Sequence, residues 1–184
     1  DPSVHPRALR GGGASRGPLA LASITNTMLV QFLRAPNFMG GIVPSSSVLA
    51  RAMSRQAAGF DAIVELGAGT GAVTRRLVAD HPRAALTLIE REQQLARRLA
   101  RSYSHARVRD GCVHDRVDCL LEQPPRAVAV SSLPFRSLPE DVAHATGAAI
   151  ERFLLADSAR RLVQYSYSLR EPIVIHDARN SKRR

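Results

Sequence analysis

The chain has 184 residues and carries 26 basic against 16 acidic side chains, so its net charge is +10 at pH 7. Apolar residues make up 45% of it, but no run of about eighteen of them occurs, and no membrane span is expected. The length suits one domain with a single core. The positive charge favours an anionic membrane surface or a nucleic acid as partner, although Lys182 is the only lysine and a biased genome also produces such an arginine excess.

The cysteine content and the first residues indicate the cellular compartment in which the protein is expected. Cys112 and Cys119 are seven residues apart with no partner cluster, so the sequence predicts no metal site and a reduced interior. No basic region followed by a long apolar stretch stands at the start, so no secretory signal is predicted. A cytoplasmic location is therefore expected.

The first segments of the chain are predicted to differ in order. Residues 1–18 are rich in Gly, Pro and Arg and are predicted to be disordered, while residues 19–184 form one domain with N-terminal helices over 19–57. From Leu19 to Arg34 the apolar residues recur at helical spacing. This helix either packs on the domain as a lid or lies in a membrane interface, and its uncharged polar side favours packing. A serine among residues 45–47 is expected to cap the next helix, which carries Met53.

The segment Asp61 to Gly71, DAIVELGAGTG, predicts a buried strand, a tight glycine turn and the start of a helix. Gly67, Gly69 and Gly71 tolerate strained backbone angles and have no side chain to keep a ligand away. The helix that opens at Gly71 presents unpaired N–H groups to whatever lies on the turn.

The spacing of the turn indicates the kind of ligand. Dinucleotide-binding folds use G-x-G-x-x-G, whereas this turn is G-x-G-x-G and follows Glu65 by two residues. A second strand, Leu86 to Glu90, ends in a carboxylate that is able to accept hydrogen bonds from both ribose hydroxyls. Turn and acid together indicate an adenosine-containing ligand. The alternative is a glycine-rich corner in some other α/β domain.

Strands and helices continue to alternate along the chain. A helix over Gln93–Ser102, a short strand over Ala106–Arg109 and a strand over Ala127–Ser131 follow. Ser137 to Glu140 resembles a capping box with Pro139 in the first helical turn, starting a helix that ends near Leu155. A last strand is predicted over Arg161–Ser168. This alternation predicts an α/β fold with a doubly wound, mostly parallel sheet whose ligand lies at the carboxyl ends of the strands.

The glycine turn and Glu90 resemble those of the class I S-adenosylmethionine (SAM)-dependent methyltransferases. The resemblance implies that the cofactor is SAM, bound on a Rossmann-like methyltransferase fold. The contacts that it implies are Glu65, Gly67, Ala68, Gly69, Thr70, Gly71, Glu90, Arg91, Gly111, Cys112 and Ser131.

Residues 32–53, 131–139 and 163–167 resemble a narrower family, the bacterial phospholipid N-methyltransferases. This resemblance implies methyl transfer to the amine of a membrane phospholipid such as phosphatidylethanolamine, by an enzyme that docks on the bilayer and needs no metal. Substrate contacts are then expected at Ser132, Leu133, Pro134, Phe135 and Tyr165. The residue that accepts the amine proton stays unassigned.

Nucleic acid is the second choice of substrate. The rRNA adenine methyltransferases carry Asn-Leu-Pro-Tyr/Phe where this chain has Ser132 to Phe135. Serine has no amide carbonyl with which to anchor a flipped adenine. Two departures from the resemblance favour a third reading, a degenerate copy that keeps the fold without catalysis. Cys112 stands where relatives have an acid. Relatives end in an antiparallel strand pair, for which this chain offers only Pro172 to Ile175, so an incomplete C-terminal strand pair is expected.

Overall fold

A computed structural model describes residues 46–165 and 173–177 of the chain. In chain order its elements are α1 (Ser46–Gln56), β1 (Ala62–Leu66), α2 (Ala72–Asp80), β2 (Ala85–Glu90), α3 (Gln93–Ser102), β3 (Arg107–Asp110), a 3-10 turn (Val113–Arg116), α4 (Val117–Leu121), β4 (Ala127–Ser131), a second 3-10 turn (Phe135–Ser137), α5 (Glu140–Ala156), β5 (Arg161–Tyr165) and β6 (Ile173–Asp177). The predicted tail, the helix over 19–34 and the boundary at residue 19 lie outside this part of the chain.

The six strands form one sheet in the order β3-β2-β1-β4-β5-β6. The first five run parallel, and β6 pairs antiparallel with β5. The predicted doubly wound, mostly parallel sheet is therefore confirmed. Residues 173–177 supply one antiparallel strand close to where one was predicted. The chain winds outward from β1 to β3 and then returns to the other side of β1 at β4, so the strand order reverses between β1 and β4.

Helices cover both faces of the sheet. As a result β1 and β4 are buried throughout, and both strands have apolar side chains on both sides. One core joins the sheet to α1, α2 and α3 and includes Met53, Ile63, Leu77, Leu88, Leu99, Val128, Val130 and Val163. The other joins it to α4 and α5 and includes Val64, Leu66, Ile89, Leu120, Ile150, Phe153, Leu154 and Leu162. The strand alternation thus places Ile63 and Val64 on opposite faces.

Helix α1 is held on α2 by polar contacts as well as by its apolar side chains. The hydroxyl of Ser54, which is fully buried, donates to Asp80 Oδ2 at 2.6 Å, and Arg76 Nε donates to the same oxygen at 2.7 Å. His81 Nε2 lies 2.8 Å from the carbonyl oxygen of Ser54. Because this nitrogen carries the hydrogen that it donates to the carbonyl, it cannot accept the proton of the Ser54 hydroxyl as a general base would. We therefore interpret these three residues as contacts that hold α1 on α2.

The predicted element bounds agree closely for the regular segments. The helix over Gln93–Ser102 and the strand over Ala127–Ser131 have the predicted bounds, and the short third strand lies one residue later than predicted. The fifth strand is described as far as Tyr165, and the rest of its predicted span lies outside the described residues. None of the helices in the described part of the chain has both the length and the apolar character needed to cross a membrane.

The capping box predicted for α5 is wrong. The helix begins at Glu140 with Pro139 as its N-cap, and no side chain caps it. Ser137 lies in the second 3-10 turn, where its N–H donates to the carbonyl of Pro134 at 2.8 Å. Leu138 is extended, as the residue before a proline tends to be. The proline therefore delays the start of the helix beyond the reach of the serine.

Candidate functional site

The glycine turn between β1 and α2 is shaped by close backbone approaches. Gly67 has φ of 75° and Gly71 has φ of 83°, which are angles that residues with a Cβ rarely adopt. A Cβ on Gly67 would lie 2.5 Å from Leu133 Cδ2, so any other residue in the turn would displace the leucine side chain of the loop after β4. The N–H groups of Gly67 and Ala68 donate to the carbonyl of Ile89 at 2.8 and 3.3 Å. The turn is thereby fixed against the end of β2.

Glu90 ends β2 with a buried carboxylate that is held by this turn. Its Oε2 accepts the N–H of Gly69 at 2.8 Å, and its Oε1 accepts the N–H of Glu92 at 2.8 Å. Only 6% of the residue is exposed. Because each carboxylate oxygen has about two lone-pair positions, each keeps one free for a ligand. The side chain is therefore a preorganised acceptor at the tip of the second strand.

Glu65 lies beneath the turn, near the end of β1, and is fully buried. Thr74 of α2 donates its hydroxyl to Glu65 Oε2 at 2.6 Å. Burial raises the pKa of Glu65 to about 8 and outweighs the opposing hydrogen bond from Thr74, while the charge of Glu90 adds to the rise. At neutral pH the acid is mostly protonated, so the site pairs the neutral Glu65 carboxyl with the buried Glu90 carboxylate. Thr74 was not predicted from the sequence, although a polar residue on the inner face of a helix is a usable signal.

The end of β3 lies beside Glu90. The N–H of Gly111 donates to the carbonyl of Glu90 at 3.0 Å. Arg116 folds over this glycine, since its Nη2 lies 2.9 Å from the position of a Cβ there. The same side chain donates from Nε to the carbonyl of Asp110 at 2.7 Å. Cys112 follows, half-buried, and burial raises the pKa of its thiol although the Arg91 guanidinium opposes this.

The loop after β4 completes the edge of the site. Ser131 is fully buried and its Oγ accepts the N–H of Leu133 at 3.3 Å. The hydroxyl of Ser132 donates to the carbonyl of Gly67 at 3.5 Å, which joins this loop to the glycine turn. Gln164 of β5 donates from Nε2 to the carbonyl of Leu133 at 3.1 Å. The loop therefore lies at the point where the strand order reverses, which is where ligands bind in doubly wound sheets.

The predicted substrate residues lie in two different places. Pro134 is buried, and Leu133 and Phe135 pack against the core on the α5 face. Tyr165 lies in the core on the other face, 5% exposed, together with Met53 of α1. Burial raises the pKa of the Tyr165 hydroxyl. The structure therefore brings four of the five predicted substrate residues together and places Tyr165 apart from them.

On its helix side the glycine turn borders a groove of about 290 Å³. The lining residues are Gly69, Thr70, Gly71, Ala72, Arg75, Arg98, Leu99, Ser102 and Tyr103. Thr70 and both arginines are exposed. Periodicity in the sequence predicts an outward face for Arg98 but does not indicate that α2 and α3 turn their arginines toward one groove.

Most of the predicted cofactor contacts converge in the structure. The set found at the carboxyl edge of the sheet comprises Glu65, Gly67, Ala68, Gly69, Gly71, Glu90, Gly111, Cys112 and Ser131. Thr70 and Arg91 are exposed at its rim. This edge combines a glycine turn without side chains and one fixed carboxylate, a combination that suits a nucleoside with a vicinal diol.

No protein-family model matches the sequence, and comparison with curated protein sequences gave no match. Solved structures do match the fold. A TehB-like SAM-dependent methyltransferase from Corynebacterium glutamicum has a TM-score of 0.52 at 15% identity, over 78% of this chain and 72% of that one. Precorrin-6y C5,15-methyltransferase from Geobacter metallireducens has a TM-score of 0.52 at 14% identity, over 72% and 69%.

PigF, solved with SAH, has a TM-score of 0.50 at 15% identity and is matched over 83% of this chain. This chain spans only 44% of the PigF chain. Identities this low establish a shared fold and nothing finer. The chain therefore has the Rossmann-like α/β fold found in class I SAM-dependent methyltransferases.

Proposed function

We propose that the chain binds SAM across the carboxyl ends of β1, β2 and β3 and acts as a methyltransferase. The observation that carries this proposal is the Glu90 carboxylate, buried at the tip of β2 and bonded at 2.8 Å to the N–H of Gly69. A ribose diol is the ligand group that best uses the two lone-pair positions left on that carboxylate. The proposed cofactor contacts are Glu65, Gly67, Ala68, Gly69, Thr70, Gly71, Glu90, Arg91, Gly111, Cys112 and Ser131.

The residues around the turn fit such a ligand by their chemistry. SAM supplies an activated methyl group on a sulfonium, so the protein has mainly to orient donor and acceptor. Positioning of this kind contributes up to roughly 7–11 kcal/mol to a reaction barrier. The contact between Ser132 and the carbonyl of Gly67 joins the cofactor turn to the loop that would hold the acceptor. A donor on the turn and an acceptor on the loop are thus held within one hydrogen-bonded unit.

The acceptor that we propose is the amine of a membrane aminophospholipid such as phosphatidylethanolamine. The narrow resemblance to phospholipid N-methyltransferases supports this, and so does the apolar character of Leu133, Pro134 and Phe135 beside the turn. A net charge of +10 suits docking on an anionic bilayer. The enzyme would then associate with the membrane peripherally, from the cytoplasmic side.

Nucleic acid is the second candidate, and the same charge favours it. Ser132 argues against it, because its hydroxyl already donates to the carbonyl of Gly67 and offers no amide to a flipped base. A catalytically inactive copy is the third candidate. Cys112 supports it, because a half-buried thiol is a poorer partner than a carboxylate for the adenine amino group.

One experiment separates these candidates. Methyl-labelled SAM is supplied together with phosphatidylethanolamine vesicles and total RNA, and the label is then partitioned between lipid and RNA. We expect label in the lipid fraction. Phosphatidylcholine vesicles are the matched control, because their fully methylated headgroup has no amine to modify. Label in RNA would reverse the ranking, and absence of label from a preparation that binds SAM would favour another acceptor or an inactive copy.

A further inference from the structure

Three side chains that commonly bind metals meet directly after β3. The thiol of Cys112, the imidazole of His114 and the carboxylate of Asp115 each place one ligand atom within 4.8 Å of the other two. Cys112 and His114 are half-buried, and Asp115 is exposed. The spacing of Cys112 and Cys119, seven residues apart with no partner cluster, predicts no metal site. In the structure, the relevant neighbours of Cys112 are the histidine and aspartate that follow it and not Cys119.

The imidazole of His114 is already oriented as a metal ligand would be. Its Nδ1 lies 3.4 Å from Thr146 Oγ1, on a residue of α5 that is 2% exposed. Its Nε2 lies 3.7 Å from Asp115 Oδ1. With the ring proton on Nδ1, that nitrogen donates a hydrogen bond to Thr146 Oγ1, and the lone pair on Nε2 is left for a metal ion. Histidines that ligate metals usually have their second nitrogen fixed by such an outer partner.

We propose that Cys112, His114 and Asp115 bind one divalent cation of the Zn²⁺ type, with a fourth position open to water or a ligand. One sulfur, one nitrogen and one oxygen form a donor set that Zn²⁺ accepts readily. Bonds of about 2.0–2.3 Å place tetrahedral ligand atoms about 3.3–3.8 Å apart. The imidazole and carboxylate already lie at that separation. The thiol lies within 4.8 Å of both other ligand atoms.

The backbone of the short loop and the charged side chains near it both affect how tightly the cation binds. The N–H of Asp115 donates to the carbonyl of Cys112 at 3.1 Å, so the backbone holds the first and last ligands in one turn. Coordination replaces the thiol proton with the cation and releases that proton to water. Burial raises the pKa of the Cys112 thiol, and the nearby Arg91 and Arg116 guanidinium groups oppose this only in part. As cations these two arginines also weaken the affinity for the ion. This proposal shares Cys112 with the proposed cofactor site, and a titration with the cation in the absence of SAM tests it independently of the methyltransferase proposal.

To test this proposal, the full chain is first freed of metal with a chelator. Zn²⁺ is then titrated into it and the heat of binding is measured by calorimetry. A second sample is titrated with Co²⁺, and its absorbance spectrum is recorded. We expect about one ion per chain and a thiolate-to-cobalt charge-transfer band. Cys112→Ser and His114→Ala should each weaken binding more than tenfold and abolish or shift the band. Thr146→Val should weaken binding less than either ligand substitution does, toward the lower end of about 10–100-fold, because it removes only the outer partner of the histidine. Cys119→Ser and His144→Ala are the matched controls and should bind as the wild type does.

A second measurement covers variants that fail to fold. In the Cys119→Ser background, Zn²⁺ should slow alkylation of Cys112 by iodoacetamide. Far-ultraviolet circular dichroism and thermal unfolding establish that each variant is folded. Unchanged Zn²⁺ affinity in folded Cys112→Ser and His114→Ala proteins, or alkylation of Cys112 at the same rate with and without Zn²⁺, would overturn the proposal.

Discussion

Glu90 serves the fold and the proposed ligand at once, and the two roles are separable by experiment. Its two oxygens accept the N–H groups of Gly69 and Glu92, both at 2.8 Å, so any substitution also disturbs the turn. A loss of SAM affinity alone therefore does not establish a ribose contact. The ligand has to be varied together with the residue, as in a double-mutant cycle.

We predict that Glu90→Gln binds SAH about 10–100-fold more weakly than the wild type, because hydrogen bonds to a charged group contribute about 1.5–3 kcal/mol. The wild type should discriminate strongly against an analogue that lacks the ribose hydroxyls, and the variant should discriminate little. Calorimetry with both ligands measures this. Glu92→Gln, the same change two residues along on the α3 cap, is the control. Equal discrimination in wild type and Glu90→Gln would remove the ribose assignment.

Glu65 makes stability depend on pH in the direction opposite to a salt-bridged acid. Burial raises its pKa from 4.5 to about 8, so between those values the folded state binds a proton that the unfolded state has lost. The stability that this proton contributes is fully present below the unfolded pKa and is lost as pH rises through the folded pKa. A glutamine imitates the protonated acid and still accepts from Thr74.

We therefore predict that the wild type loses stability relative to Glu65→Gln as pH rises from about 5 to about 8. Urea unfolding of the two proteins at several pH values measures the difference. Glu122→Gln, on an exposed residue, controls for the general effect of removing one carboxylate. Parallel stability profiles for wild type and Glu65→Gln would show that Glu65 does not carry a raised pKa.

At the scale of single residues, the sequence predicts the glycine turn and the place of Glu90 at the end of the next strand, because strand, turn and acid are close in the chain. It does not predict the contacts of Thr74 or Arg116, since both depend on how a helix or turn lies against a strand. Tyr165 shows the same limit. The resemblance implies a substrate contact for Tyr165, and that stays a prediction, but the sequence does not show that this residue belongs to the core cluster that includes Met53.

One buried arginine connects α4 and α5 to the start of β5 by hydrogen bonds. Arg160 is 4% exposed, and its guanidinium donates to the carbonyls of Leu120, Leu121 and Phe153 at 3.1–3.3 Å, and also to that of Gln123. These carbonyls belong to helix ends or the turn after α4, and the side chain satisfies them where water is excluded. The guanidinium also lies 5.0 Å from the centre of the Phe153 ring.

We predict that Arg160→Met destabilises the fold by about 1.5–3 kcal/mol or more, because several buried carbonyls lose a charged donor. The free energy of unfolding in urea is the measurement. Arg152→Met, on the exposed side of α5, removes the same charge without a buried partner and should change stability little. Equal losses in the two variants would mean that net charge, and not the buried hydrogen bonds, determines the effect.

Elements with a strong period were predictable and irregular ones were not. The helix over Gln93–Ser102 has Leu95, Ala96 and Leu99 inward and its arginines outward, and its predicted bounds are those observed. The 3-10 turn and short helix over Val113–Leu121 were missed, because nine residues offer too few repeats to show a period. The start of α5 was misplaced because the extended residue before Pro139 separated the serine from the helix.

For the whole molecule, the charge is unevenly distributed along the sequence. Residues 46–165 contain 17 basic and 13 acidic residues, whereas the rest of the chain contains 9 and 3. Four of the basic residues, Arg179, Lys182, Arg183 and Arg184, fall within six positions. A charge concentrated in this way is attracted to an anionic surface more strongly than arginines that are interspersed with acids.

We predict that replacing those four residues by glutamine lowers the affinity for anionic vesicles by roughly 100–1000-fold at low salt, because each basic residue near such a surface contributes about 1 kcal/mol. Cosedimentation with vesicles of increasing phosphatidylglycerol content measures the affinity, and raising the salt concentration should reduce the difference. The matched control replaces Arg75, Arg97, Arg98 and Arg101, all exposed on α2 and α3, and changes the net charge equally. If both quadruple variants lose affinity to the same extent, net charge alone drives docking. If neither depends on anionic lipid, the membrane proposal loses its electrostatic basis and the charge is better explained by nucleic acid.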